Sequence, residues 1–159
     1  MDSEIKIYIE RANNELLLAK TNFNISTEIK LKDILSIPHE KTFFNDVISQ
    51  AYYSIFYAAK AYLLNNGIKI KPPEEHKKTY KLFKKFAQSG KIDKELLEIY
   101  ETESEKAEVL LKILFEEKRK RGIFTYNVKS EANIPSANES IDNAIKFVSV
   151  IISLIEKIN

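Results

Sequence analysis

Four consecutive cations, Lys118, Arg119, Lys120 and Arg121, run into Gly122 and then into Ile123-Phe124-Thr125-Tyr126. A guanidinium holds two phosphate oxygens at once, and a phenol just beyond it can stack on a base. Upstream, the run Ala51-Tyr52-Tyr53-Ser54-Ile55-Phe56-Tyr57-Ala58-Ala59-Lys60 is rich in tyrosine. Together the two segments point to a basic, aromatic groove suited to a nucleotide or RNA. Its candidate contacts are Lys118, Arg119, Arg121, Tyr126 and Tyr53. A plainer reading stands beside this one. Cations at a helix C-terminus interact favourably with the helix dipole, typically by about 0.3–1 kcal/mol, and tyrosines at helical spacing pack into cores and interfaces.

Helices must position these groups. Only 3 glycines and 4 prolines occur in 159 residues, too few for a chain built from many turns. Hydrophobic periodicity gives five helices, over about residues 3–23, 42–66, 73–89, 93–121 and 136–158. Ile5, Ile9, Ala12, Leu16 and Ala19 share one face of the first. Asn24 to Lys41 reads as a connector, since Ile37 precedes a proline. The second helix is apolar on nearly every side, which marks a helix central to a bundle or shared with a partner. Gly67 is its expected left-handed C-terminal cap. Pro72-Pro73 is expected to open the third helix, with Tyr80, Phe83, Phe86 and Ala87 inward and Lys77, Lys81, Lys84 and Lys85 outward. Asp93 is a candidate N-cap for the fourth. Ser136 to Glu139 reads as a capping box for the fifth, whose apolar face is Ile141, Ile145, Val148, Ile152 and Ile155. The fold class is all-α: an antiparallel, up-and-down bundle of four or five helices in one domain spanning residues 1–159.

Composition closes off several functions. The absence of cysteine excludes disulfides, thiolate metal sites and a cysteine nucleophile. Phe147 to Ile155 is apolar but interrupted by Ser149 and Ser153, and it falls well short of the ~20 residues that cross a bilayer. No signal peptide is read in the acidic start, Met1-Asp2-Ser3-Glu4, so a cytoplasmic location is expected, without a membrane. No phosphate loop, dinucleotide fingerprint, zinc-protease motif or serine nucleophile motif is present. His76, beside Glu74 and Glu75, has too few companions for a metal site, so neither a metal nor a cofactor is expected. The net charge of +2 does not argue for nucleic acid, but its distribution is uneven. Lys69, Lys71, Lys77, Lys78, Lys81, Lys84, Lys85 and Lys91 face only Glu74 and Glu75 in that stretch, whereas Asp93 to Glu108 is mostly acidic.

Phe44-Asn45-Asp46, leading into the tyrosine-rich run as far as Leu64, resembles the second helix of HEPN-domain proteins. Gly67-Ile68 followed by Glu75-His76-Lys77 is similar to the region where that family often carries a histidine opening its third helix. Lys120 to Tyr126 and Ala137 to Phe147 look like the family's end region. The likeness runs from about Thr42 onward, and the order of these motifs is more specific than any one of them. It implies a helical bundle, commonly a homodimer, here formed partly through the second helix and the end of the fourth. Many relatives are encoded beside a minimal nucleotidyltransferase and act with it as a toxin–antitoxin pair. Active members are metal-independent ribonucleases, in which an arginine, four to six residues and then a histidine face a cleft shared by two subunits. The resemblance also implies a supporting role for Asp46 and Ser49, since relatives tend to keep polar groups early in this helix. Otherwise Asp46 simply favours the N-terminal dipole.

The chain departs from that motif. Its two histidines, His39 and His76, do not follow an arginine at the required spacing. In one register Arg119 matches the arginine and Tyr126 a tyrosine two residues past the histidine, but Phe124 holds the histidine position. In the other, Arg121 is followed by four residues and then Tyr126. Imidazole suits proton transfer near neutrality, whereas a tyrosine with a pKa of about 10 is a poor base there. Phosphate binding by Arg119 or Arg121 survives that loss; catalysis does not follow. The expectation is therefore a nucleotide- or RNA-binding protein, paired with a nucleotidyltransferase. The alternatives are an atypical ribonuclease using Arg119, Arg121 and Tyr126, and a structural subunit that binds only protein.

Overall fold

The computed structural model of the chain describes the backbone of residues 2–120 and 134–158, and the side chains of residues 2–110 and 134–157. The described elements are α1 (Ser3–Thr27), α2 (Ile29–Ile34), α3 (Phe44–Asn65), α4 (Glu75–Gln88), α5 (Lys94–Lys120) and α6 (Ile134–Ile158). No strand occurs among the described residues, so the fold is an all-α bundle. None of these helices is long and apolar enough to cross a membrane.

Apolar periodicity carries α1, whose Ile5, Ala12, Leu16 and Ala19 are buried. Asp2 caps it, its Oδ1 accepting from the Glu4 N–H at 3.1 Å. The helix runs one turn further than the apolar pattern, because the hydroxyls of Ser26 and Thr27 bond to the carbonyls of Asn22 and Phe23 at 2.7 and 3.0 Å. Polar residues that compete with the backbone elsewhere are here satisfied within the helix. The expected connector also contains α2, six residues long and stopped by Ser36 at φ 55°. Its Lys32 is buried and donates to the His39 carbonyl at 2.6 Å, which ties the segment together.

Helix α3 is the axis of the molecule and packs against α1, α4, α5 and α6. Ala51, Ala58, Ala59 and Ala61 are almost wholly buried and let neighbours approach closely, while Ile55, Tyr62 and Leu63 fill the spaces between them. Its exit is a left-handed turn at Gly67 (φ 78°), with the Ile68 N–H bonded to the Leu63 carbonyl at 2.9 Å. Phe83 of α4, Tyr100 of α5 and Phe147 of α6 meet at ring-centroid distances of 5.3–5.9 Å and close the main core. A smaller cluster joins Ala19, Phe44, Val47, Ala137 and Ile141.

Two boundaries and one helix face differ from the sequence reading. The proline pair precedes α4 instead of opening it, because Glu74 turns the chain at φ 59° before the helix begins at Glu75. Ser136 lies inside the first turn of α6 and is not its cap. Pro135, whose missing N–H costs nothing in a first turn, lets the helix start at Ile134. Ile145 is exposed, since the buried face is centred on Ala144, Val148, Ile151 and Ile155, and Phe147 takes the flank that reaches the core. Asp93 does cap α5, its Oδ1 accepting from the Glu95 N–H at 3.0 Å.

A Cβ at Gly67 would meet nothing within 4 Å, so the cost of Gly67→Ala is purely conformational. Urea unfolding is expected to show a loss of about 1–2 kcal/mol, against about 3–5 kcal/mol for Phe83→Ala in the closed core.

Candidate functional site

His76, in the first turn of α4, lies flat on Phe56 of α3, with ring centroids 3.9 Å apart and planes 12° apart. Tyr52 and Tyr53 flank it at 5.7 and 5.6 Å. The Tyr52 hydroxyl is 2.9 Å from His76 Nδ1, and Ser104 of α5 lies near enough to the same phenol to oppose the rise in its pKa. A Tyr52 O–H that donates to Nδ1 goes with an imidazole carrying its own proton on Nε2. Burial pushes the Tyr52 phenol up to about 12. Burial also holds His76 below its ordinary value of 6.5, with Glu75 opposing and Lys60 adding to the effect. The neutral imidazole therefore predominates at pH 7.

Two clefts meet at His76. The larger, of about 710 Å³, lies between α3, α4 and α5 and is lined by Tyr52, His76, Lys77, Tyr80, Glu101, Ser104, Glu105 and Glu108. Carboxylates at i, i+4 and i+7 form its α5 wall, so the cleft repels phosphate. The smaller, of about 490 Å³, includes Tyr8 and Arg11 of α1, Tyr57 and Lys60 of α3, and Glu74 and Glu75. Lys60 is almost buried and pairs with Glu75, and its Nζ stands 4.6 Å from the Tyr8 ring centroid. Burial alone would lower its pKa, but hydrogen bonds with Glu75 and Tyr8 outweigh that and raise it. Arg11 lies over Tyr57 at 5.4 Å. The ion pair consumes most of the charge here, which leaves a near-neutral aromatic hollow.

The residues singled out in the sequence fall in three places. Asp46, Ser49 and Tyr53 share one stripe of α3 by spacing, Asp46 and Tyr53 exposed and Ser49 half-buried. Tyr53 is the only one of the three that touches His76 through its ring. Lys118 and Arg119 lie on the last turn of α5 by their backbone, and their side chains lie outside the described residues. Arg121 and Tyr126 lie outside them altogether. The chemistry at Tyr52, His76, Ser104 and Glu105 was not singled out as a site in the sequence, because three helices supply it and no local spacing joins them. His39 sits apart at the α2–α3 connection, paired with Asp33 at 2.5 Å.

The family model for the HEPN domain matches residues 35–158. No curated protein matches the chain.

Because the fold holds His76 below its unfolded value, protonation works against the folded state. Stability is complete above about pH 6.5 and declines as pH falls through the folded-state value. Urea melts at pH 7.5 and 5.5 should show that decline, and His76→Phe, which keeps the stack on Phe56, should make it shallower. An unchanged pH dependence in the variant would show that His76 does not titrate in this way.

Proposed function

This chain belongs to the HEPN family, and on that premise we propose that it binds RNA or a nucleotide through the cationic end of α5. Family membership is the observation that carries the reading, since HEPN domains are associated with nucleotide- and RNA-related functions. The order of charge along α5 says where phosphate would go. Glu95, Glu98, Glu101, Glu103, Glu105 and Glu108 crowd the first part of the helix. Lys118, Arg119 and Lys120 end it, with Arg121 next in sequence, and together they outweigh Glu116 and Glu117 just before them. A phosphate is driven from the first part to the last. Arg119 and Arg121 are the proposed phosphate contacts, with Lys118 adding charge and Tyr126 stacking on a base. Asp46, Ser49 and Tyr53 would support the groove from α3.

Binding without cleavage is the favoured form of this reading. Glu108 is the last α5 residue lining the cleft beside His76. Arg119 comes eleven residues later, about 16 Å further along the helix axis. His76 of the same chain therefore does not supply the imidazole missing after the arginines. His39, held by Asp33, has no arginine at the motif spacing either. The reading extends to a homodimer, and to a role as one half of a toxin–antitoxin-type pair with a minimal nucleotidyltransferase. Both extensions rest on the family resemblance.

Fluorescence anisotropy with labelled single-stranded RNA, with mononucleotides as competitors, tests the proposal. Arg119→Ala with Arg121→Ala should weaken RNA binding by at least tenfold at low salt. It should also flatten the salt dependence by about 0.7 log units per decade for each phosphate that is no longer neutralised. Lys81→Ala, on the outer face of α4, should leave binding in place. Binding that ignores the two arginines sinks the assignment. RNA cleaved in chelator by the same samples would restore the ribonuclease reading.

A further inference from the structure

The smaller cleft holds a cation that no carboxylate among the described residues claims. Its walls include Tyr8 and Arg11 of α1, Tyr57 and Lys60 of α3, and the Pro72-Pro73 pair that leads into α4. Lys60 is committed to Glu75, and Glu74, which also lines the cleft, has Lys77 3.5 Å away. Arg11 is exposed and makes no ion pair or hydrogen bond among the described residues. Its guanidinium lies over the Tyr57 ring, 5.4 Å from the centroid. Attraction to a ring face leaves the N–H donors along the guanidinium edge unused. The cleft therefore keeps one unmatched positive charge.

A second observation comes from α1 itself. Glu15 follows Arg11 by four residues, the spacing at which opposite charges pair along a helix. These two do not pair, and burial raises the Glu15 carboxyl above its ordinary value with no cation opposing the rise. Arg11 goes to the cleft instead, where Tyr57 lies nearly parallel to Tyr8, with ring centroids 6.4 Å apart and planes 17° apart. A guanidinium, two phenol rings and a proline pair thus share one hollow. Tyr8 and Arg11 precede residues 35–158, so the α1 side of this cleft lies outside the match to the family model.

We propose that this cleft binds an aromatic carboxylate, a planar ring bearing a single carboxylate on a short chain. Arg11 holds the carboxylate through its fork of N–H donors, and Tyr8, Tyr57, Pro72 and Pro73 provide apolar faces for the ring. The volume of about 490 Å³ accommodates a ligand of this size. One unmatched guanidinium suits one negative charge, whereas a phosphate dianion would set its second charge beside Glu74 and Glu75. The proposed phosphate contacts are different cations, at the end of α5 and beyond it, so either assignment can fail without the other. The same chemistry is offered by a free aromatic acid and by the C-terminal aromatic residue of a peptide.

Isothermal titration of the full chain at low salt and pH 7.5 distinguishes these sources. The probes are 3-phenylpropanoate and an acetylated Gly-Gly-Phe tripeptide with a free C-terminal carboxylate. One-to-one binding of phenylpropanoate alone indicates a free acid, and of the tripeptide alone a peptide terminus; binding of both leaves ring and carboxylate as the recognised elements, and all three support the site. Arg11→Gln should weaken the bound probe at least tenfold. Lys20→Gln removes the same charge from an exposed position of α1 outside the cleft, and should leave affinity unchanged. Converting the probe's carboxylate to an amide, or its phenyl group to a methyl, should each weaken binding at least fivefold. The proposal is overturned if neither probe binds at millimolar concentration, if either altered probe binds as tightly as its parent, or if Lys20→Gln weakens binding as much as Arg11→Gln.

Discussion

Helix α3 has to be covered on nearly every side, and the rest of the bundle follows from that constraint. A helix with apolar residues around most of its circumference is stable in water only when neighbours remove that surface from solvent. Alanines at positions 51, 58, 59 and 61 make the contact close, and α1, α4, α5 and α6 supply the cover. The burial of Ser54 shows how complete the enclosure is. Its hydroxyl has no water to turn to and instead donates to the Ala12 carbonyl of α1 at 2.8 Å.

Where the cover is thinnest, polar and aromatic groups share the work. Phe56 is shielded by the flat face of His76, and His76 is in turn held by Tyr52. Lys60 lies almost buried in the same helix and is kept charged by Glu75 of α4. On the far side, Glu103 of α5 is fully buried and accepts from Asn143 at 2.9 Å and Lys106 at 3.3 Å, while Lys106 reaches Glu139 at 2.5 Å. These contacts set the register of α5 against α3, α4 and α6. The same groups that close gaps in the packing also line the clefts, so structural and binding roles are not cleanly separable here.

Charge then divides the surface. Glutamates of α5 face the cleft beside His76, the lysines of α4 lie toward solvent, and the cations at the end of α5 stand more than two turns beyond Glu108. A single long helix thus carries both signs, the cleft wall and the cationic end being separated along its axis by more than a Debye length at physiological salt, about 8 Å.

The sequence by itself determined the all-α class, the central place of α3, the left-handed exit at Gly67 and the cap at Asp93, because each depends on periodicity or on the conformational preference of one residue. It also offered Tyr53, Asp46 and Ser49 as candidates, which the helical spacing of α3 sets on one stripe. It did not reveal α2 or the last turn of α1, where hydroxyl-to-carbonyl bonds and the buried Lys32 replace an apolar pattern. Only the tertiary structure decided that His76 covers Phe56, that the Tyr52 hydroxyl meets His76 across α3 and α4, and that the Tyr100 hydroxyl is buried without a partner among the described residues. Those facts depend on how far and at what angle three helices approach one another, and that distance is set by packing between residues remote in the chain.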